Sequence, residues 1–304
     1  MPQHLPLHAH LTDVGPLVYG CMALGGDWGG APVSEADIAQ AHAAVEAALD
    51  IGVKLFDHAD IYRRGKAEAV FGALIRRDAG LRARIRLQSK CGIRFGDDAN
   101  VGRYDLSADH IEKSVDGILQ RLAVERIDIL LLHRPDALME PAEVARAFGR
   151  LKAAGKVGHL GVSNMHAGQM RWLQTALGEP LVVNQLELSL AKLDALDVGT
   201  TFNDPQAATR PGGIAWAGTL EYAQQHGVQL QAWGSLAQGR FSDPAASAAA
   251  QAVHEIAEAH RTTVNAVLLA WLLRHPAGIQ PVIGSGNAER TRACGDATRI
   301  QLRA

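Results

Sequence analysis

Short apolar runs alternate with longer stretches of helical periodicity along almost the whole chain. Residues 17–19 form the first such run, which stops at Gly20 and predicts a strand. Ser34 stands where a helix N-cap belongs, because a hydroxyl there accepts from the free amides of the first turn. Residues 36–49 then repeat apolar positions at helical spacing, and Gly52 closes the helix. Strands are predicted at 53–56 and 85–88, with a helix at 67–77 between them. Ser107 caps the next helix. Residues 127–132 are unbroken apolar, the pattern of a strand covered on both faces. A helix from Pro141 to about 154 follows, then a strand at 157–162 and a helix at 167–176. The second half predicts strands at 181–183, 229–233 and 281–283. Its helices fall at 220–225, roughly 246–260, 263–273 and 288–294.

About eight strands, nearly each followed by a helix, argue for a parallel sheet. In a chain of 304 residues, eight such units favour an α/β fold of the closed (β/α)8 TIM-barrel type over an open doubly wound sheet. No linker interrupts the pattern, so residues 1–304 are expected to form one barrel domain. The most irregular stretch, about 197–218, contains Pro205, Pro211, Gly212 and Gly213. It predicts a long loop between strand six and its helix, of the kind that serves as a lid or insertion.

Composition narrows the class. At 47% hydrophobic and 20% charged residues the chain can bury a large core. Thirty Lys plus Arg against thirty-two Asp plus Glu leave a net charge of -2, which offers no basic surface for nucleic acid. No run approaches the ~20 apolar residues that span a bilayer. The first dozen residues lack the apolar core of a secretory signal. Cys21, Cys91 and Cys294 are too few, and odd in number, for a disulfide framework. A cytoplasmic protein without membrane or nucleic-acid partners is expected, as a monomer or small homo-oligomer.

In a barrel the chemistry gathers at the C-terminal ends of the strands. Asp57, His58, Asp60 and Tyr62 follow strand two, Lys90 strand three and His133 strand four. Ser163 and Asn164 follow strand five, Asn184 and Gln185 strand six, Trp233, Gly234 and Ser235 strand seven, and Gly284, Ser285 and Gly286 strand eight. Any one of these is more often a cap or a surface residue. Together they converge on one mouth. A tyrosine hydroxyl, with a pKa of about 10, is a poor acid, and an ammonium beside it lowers that value. Lys90 is placed to supply the ammonium and Asp57 to hold it. A neutral His133 would direct a substrate carbonyl. No side chain supplies a hydride, so such a site calls for a cofactor.

These segments resemble the aldo-keto reductase family. Phe56-Asp57-His58-Ala59-Asp60-Ile61-Tyr62, followed by Gly65 and Glu68, is similar to the stretch around its catalytic Asp and Tyr. Lys90, and His133 in Leu130-Leu131-Leu132-His133-Arg134-Pro135-Asp136, match its other two catalytic positions. Gly161-Val162-Ser163-Asn164 and Asn184-Gln185 resemble the segments that meet the nicotinamide carboxamide. Trp233-Gly234-Ser235-Leu236 resembles the aromatic-Ser-Pro-Leu segment that stacks on the nicotinamide and touches pyrophosphate. Gly284-Ser285-Gly286 with Arg290 resembles the adenosine 2′-phosphate site.

The resemblance implies a (β/α)8 barrel that binds NADPH or NADP, with NADH as a further candidate, and reduces a small-molecule aldehyde or ketone. It implies Tyr62 as proton donor, Lys90 to lower its pKa, Asp57 to pair with Lys90 and His133 to orient the carbonyl. Cofactor contacts are expected from Gly20, Cys21, Met22, Ser163, Asn164, Gln185, Trp233, Gly234, Ser235, Leu236, Gly239, Arg240, Ile283, Gly284, Ser285, Gly286 and Arg290. Met22, Trp28 and His58 are expected around the substrate, and no metal is. The chain departs from the family pattern in reading Trp-Gly-Ser-Leu. It also has Gly284 where many members have Lys, and Ala293-Cys294 where many have Glu-Asn. Arg63-Arg64 makes the segment after Tyr62 unusually basic, which fits either an anionic substrate or solvated surface charge.

Other chemistries find less support. His8-Ala9-His10 has the spacing of a metal pair but precedes the first strand, and strand eight ends without an acidic ligand. Gly161-Val162-Ser163-Asn164-Met165 lacks the second glycine of a nucleophile elbow. Gly284-Ser285-Gly286 lacks the rest of a dinucleotide fingerprint. Some barrels of this family act as cofactor-binding regulatory subunits of membrane channels; no long partner-binding extension is visible here.

Overall fold

The computed structural model describes residues 5–98, 100–198, 200 and 216–302. Eight parallel strands close into a barrel: β1 Val18–Gly20, β2 Leu55–Asp57, β3 Arg86–Cys91, β4 Ile127–Leu132, β5 Val157–Ser163, β6 Val183–Glu187, β7 Gln229–Trp233 and β8 Gln280–Ile283. Each pairs with its neighbours in chain order, and β8 returns to β1 with Val18 opposite Val282. The principal helices are α1 Glu35–Asp50, α2 Lys66–Arg77, α3 Ala108–Leu122, α4 Pro141–Ala153, α5 Ala167–Gln174, α6 Thr219–His226, α7 Ala248–Ala259, α8 Val264–Leu273 and α9 Ala288–Ala293, with single turns at Leu81–Arg84 and Asp194–Asp197. The expected barrel is the observed one. Of the expected long loop at 197–218, residues 199 and 201–215 lie outside the described residues.

Side-chain alternation along the strands separates a core inside the barrel from one between barrel and helices. Ile129 and Leu131 of β4 face the barrel interior, with Val18, Leu55, Val182 and Val183. Leu130 and Leu132 face the helices, in one continuous layer with Phe56, Phe71 and Leu87. A 3-10 turn at Pro6–Ala9 places Leu7 in the inner cluster and so plugs the barrel below the strands. Leu7 N donates to Gln229 Oε1, at the start of β7. His8 sits in this plug, bonded to the Val14 carbonyl, and His10 lies edge-on against the His159 ring. The His8-Ala9-His10 spacing therefore belongs to the end of the barrel opposite the strand termini that carry Asp57 and Lys90.

Ser34 and Ser107 cap their helices as read from the sequence, each accepting from a first-turn amide. Thr263, expected as the first residue of its helix, is instead its cap and accepts from Ala266 N. Helices α2 and α3 approach so closely that a Cβ on Gly72 would lie 2.1 Å from the Arg121 carbonyl oxygen. The same contact carries an ion pair, Arg121 Nε to the buried Glu68 at 2.8 Å. A small antiparallel hairpin, Ile93–Arg94 with Arg103–Tyr104, extends the mouth after β3 and was not evident in the sequence. Among the described residues no helix is long and apolar enough to cross a membrane.

Candidate active site

Adjacent strands in register bring the polar residues to one level. Gly20 lies opposite Asp57, and Asp57 opposite Gln88. Two residues further along β3, Lys90 faces the same interior. Its Nζ, fully buried, donates to Asp57 Oδ2 at 2.6 Å, to the His58 carbonyl at 3.0 Å and to Tyr62 Oη at 3.0 Å. All three ammonium hydrogens are thereby used. Tyr62 is carried in by the turn Tyr62–Gly65 after β2, where Arg63 and Arg64 both have positive φ, 51° and 57°. His133 follows β4 directly, and its ring stands edge-on to Tyr62 with centroids 6.0 Å apart.

Burial and charge set the protonation states. Burial pulls Lys90 down, but the Asp57 carboxylate and the Tyr62 hydroxyl outweigh it, and the ammonium is held above the ordinary lysine value. Burial is the largest influence on Tyr62 and raises its hydroxyl; Lys90 pulls the other way without prevailing. This corrects the sequence expectation of a lowered tyrosine: the ammonium acts in the expected direction, yet desolvation of the phenolate is larger. Tyr62 is therefore a protonated donor at neutral pH. Burial, then Lys90 and Arg134, push His133 well below the usual imidazole value, so its ring is neutral.

Above these residues opens a cavity of about 500 Å³, within the range of small-molecule sites. Tyr62, Asp57 and His133 form its floor. Met22, Trp28, Ile61 and Ile93 form an apolar wall, and Arg134 stands beside His133. Arg134 also lies over the Trp233 ring, 5.8 Å from its centroid. The other wall comes from Gly20, Ser163, Asn164, Gln185, Trp233, Gly234, Ser235, Leu236, Ile283 and Gly284.

Asn164 holds this wall together. Its Nδ2 donates to the His133 carbonyl and to Ser163 Oγ, while its Oδ1 accepts from Trp233 Nε1 at 3.1 Å. Both amide hydrogens are committed, so Asn164 fixes the tryptophan ring and the histidine backbone at once. Gln185 turns Nε2 inward to Gln231, leaving its Oε1 toward the cavity. In the loop after β7, Gly234, Ala237, Gln238 and Gly239 all have positive φ. Mixed right- and left-handed backbone of this kind forms concave anion-binding nests of amides. It also explains the departure at Gly234, whose φ of 67° suits glycine.

Several expected residues fall elsewhere. His58 is not at the substrate cavity. It follows the inward Asp57, so alternation turns it outward, fully buried and edge-on to Phe71 at 4.6 Å. Cys21 is likewise fully buried in the helix-side core, its neighbours Gly20 and Met22 lining the cavity instead. Asp60 also turns away from the mouth, toward Ser114 of α3; burial and Glu68 raise its carboxyl to about 7. Asn184 points outward and donates to the Met165 carbonyl. Gly239, Arg240, Ser285, Gly286 and Arg290 lie beyond the cavity wall. The Ser285 carbonyl accepts from Tyr19 Oη, and Asn287 caps the helix that carries Arg290. Arg63 and Arg64 do not line the cavity. Arg63 donates to the Met22 carbonyl and lies over Trp28, and Arg64 lies over Phe95. They clasp the mouth loops to the Tyr62 turn. Residues that sequence reading missed are Gln88 and Gln231, which back Asp57 and Gln185; each lies two positions before a residue it did select, Lys90 or Trp233.

A parallel barrel with a buried Lys–Asp pair touching a tyrosine, at the foot of a cavity with a histidine and a tryptophan wall, defines a carbonyl oxidoreductase of the barrel type. Residues 16–304 match the aldo/keto reductase family model, and the chain belongs to that family. Its activity is the family's: reduction of an aldehyde or ketone by a reduced nicotinamide cofactor. The chain is 36% identical to a 6-dehydroglucose reductase of Agrobacterium fabrum, over 95% of this chain and 91% of that one. It is 37% identical to the oxidoreductase YdhF of Escherichia coli, over 85% and 82%. An aldo/keto reductase of Klebsiella pneumoniae solved with NADP and acetate superposes with a TM-score of 0.73 at 27% identity, covering 95% of this chain and 88% of that one.

Proposed function

We propose that the protein uses NADPH to reduce a hydroxylated, sugar-derived aldehyde or ketone, with Tyr62 as the proton donor. The observation that carries this reading is the contact of Lys90 Nζ with both Asp57 and Tyr62 at the cavity floor. Tyr62 Oη gives its proton to the carbonyl oxygen as that oxygen becomes an alkoxide. The Lys90 ammonium, 3.0 Å away, stabilises the phenolate left behind. Asp57 keeps Lys90 charged against the downward pull of burial. His133, neutral, donates a hydrogen bond that fixes the carbonyl angle.

The residues present fit a nicotinamide. The Trp233 ring, held by Asn164, offers a face; Gln185 offers an acceptor; and the loop after β7 offers a nest for pyrophosphate. When bound, the reduced nicotinamide supplies the hydride. Gly20, Ser163, Ser235, Leu236, Ile283 and Gly284 complete that wall, and Met22 faces it from the other side of the cavity. Arg290 is assigned to the adenosine 2′-phosphate, since a planar guanidinium suits phosphate oxygens. Gly239, Arg240, Ser285 and Gly286 are assigned to the same arm of the cofactor. A sugar-derived substrate is supported by the relatives named as 6-dehydroglucose reductases. The cavity agrees: Trp28 provides an aromatic wall, and Arg134 provides donors for hydroxyl groups. We place the protein in the cytoplasm, as a monomer or small homo-oligomer; its three buried free thiols suit a reducing compartment.

Titration with NADPH and NADH, followed by tryptophan fluorescence, tests this. Saturable quenching by NADPH, weakened in Arg290→Ala, is expected, together with turnover of sugar-derived carbonyls that Tyr62→Phe sharply lowers. Binding of neither nucleotide would end the hydride-transfer reading.

A further inference from the structure

The interior of a (β/α)8 barrel is ordinarily packed with branched apolar residues. Here one layer is built of amides. Gln88, Gln185, Gln231 and Gln280 come from four different strands and are all essentially buried. Burying an amide is unfavourable unless its hydrogen bonds are met, and these amides bond to one another, to Asp57 and to the Gly15 carbonyl.

The polarity of the chain can be read from its lower end. The Gly15 carbonyl can only accept, so Gln280 presents Nε2 to it, at 2.7 Å, and turns Oε1 to Gln231. Gln231 therefore presents Nε2 to Gln280, at 3.4 Å, and turns its own Oε1 toward the site. That one oxygen accepts from Gln88 Nε2 at 2.9 Å and from Gln185 Nε2 at 3.1 Å, using both lone pairs. The second hydrogen of Gln88 goes to Asp57 Oδ1 at 2.6 Å, while Lys90 holds the other carboxylate oxygen. Reversing Gln88 would set its carbonyl against a carboxylate. Its Oε1 has no partner among the described residues, so the amide is committed to donation.

We propose that Gln231 is a positioning residue that, through a single carbonyl oxygen, orients two parts of the active site together. It holds Gln88 on the carboxylate that grips Lys90, and it holds Gln185 with an acceptor turned to the cofactor cavity. The backbone carbonyl of Gly15, at the far end of the barrel, sets the direction of the whole chain. This rests on the nicotinamide role proposed for Gln185.

The test compares Gln231→Met with Gln231→Glu. Methionine keeps the volume and removes the acceptor. A glutamic acid buried among amides is pushed up and stays protonated. Its hydroxyl can donate to Gln280 and its carbonyl can accept from Gln88 and Gln185, reproducing the native pattern. Gln231→Met is expected to weaken NADPH binding about tenfold, the scale of one lost hydrogen bond. With Asp57 less well solvated by Gln88, its charge bears harder on Tyr62, so the alkaline limb of the kcat/KM profile should move upward by about half a unit or more. Gln231→Glu should stay near wild type in both. A folded Gln231→Met with native affinity and an unmoved limb would show that the amides only fill the barrel, and a Gln231→Glu as impaired as Gln231→Met would equally overturn the proposal. If Gln231→Met does not fold, Gln280→Met frees Gln231 to turn and should give the same two shifts at smaller size; neither shift appearing would overturn it. A wild-type protein that binds no NADPH fails the functional reading. One that binds and turns over while Gln231→Met matches it fails only this one.

Discussion

Asp57→Asn isolates the consequence of burying Lys90. The ammonium is fully buried and has one carboxylate partner, at 2.6 Å. Removing the carboxylate leaves a choice between an unpaired buried charge and a neutral amine. The first costs about 3–5 kcal/mol in comparable pairs. The second is limited by the free energy of deprotonating an ordinary lysine, about 4–5 kcal/mol at pH 7. Both routes converge on a deficit of roughly 4 kcal/mol at pH 7. At about 2 °C or more per kcal/mol for a chain of this size, the melting temperature should fall by roughly 8 °C or more. The pH dependence is the sharper signature. In the wild type the folded-state value of Lys90 is raised. Its stabilisation is therefore present below the unfolded lysine value and lost only as pH rises through the folded one. In Asp57→Asn the folded value is depressed, so the unfolded chain binds the proton that the folded chain lacks. Stability of the variant should then rise with pH, closing the gap by about 1.4 kcal/mol per unit until near pH 10. Urea unfolding of both proteins at pH 7, 8, 9 and 10 measures the difference directly. A deficit under about 1 kcal/mol, or one that is constant over this range, would refute the picture of a dry, charged Lys90.

Three further outcomes follow from the geometry. Tyr62→Phe should lower kcat by about 10²–10⁴ while leaving the NADPH dissociation constant unchanged, because the hydroxyl acts on the substrate rather than the cofactor. His58, held by burial down to about 3, and His133, also lowered, stay neutral in the fold while the unfolded chain takes up protons near pH 6.5. Stability should accordingly decline as pH falls below that value. His58→Leu should flatten the decline by up to about 1.4 kcal/mol per unit, as read by urea midpoints at pH 4.5–7; an unchanged slope would show that His58 is hydrated or protonated in the fold. Gly72→Ala would force a methyl to 2.1 Å from the Arg121 carbonyl. It should destabilise by about 1–3 kcal/mol, and a calorimetric melting point equal to wild type would mean that α2 and α3 are not so closely packed.

The barrel was legible in the sequence because its rhythm is repeated eight times, and two helix caps because Ser34 and Ser107 are chemically suited to their places. Strand ends were less so. Reading a strand as ending where polarity begins stopped the sixth strand at 183, whereas pairing runs over Val183–Glu187. The same rule cut β3 short of Lys90 and Cys91. The barrel interior is polar near its mouth, so Asp57, Lys90 and Gln185 continue their strands, while Tyr62 and His133 follow theirs. His58 and Cys21 misled for a related reason. Each adjoins a cavity residue in sequence, and strand alternation sends it to the other face. The two-residue strands of the hairpin after β3 are too short for any periodicity to show.

The turn that delivers Tyr62 has one more implication. Arg63, Arg64 and Gly65 are three successive left-handed residues, two of them with side chains that disfavour this conformation by about 1–2 kcal/mol each. Their guanidinium groups, laid over Trp28 and Phe95, hold the backbone there. The proton donor is thus presented by a stretch of chain that relaxed backbone preferences would not choose. Selection for thermal robustness at these positions would favour glycine and would loosen the clasp as it eased the strain. Replacing either arginine by glycine is therefore expected to ease the backbone and to release the clasp on the Tyr62 turn together.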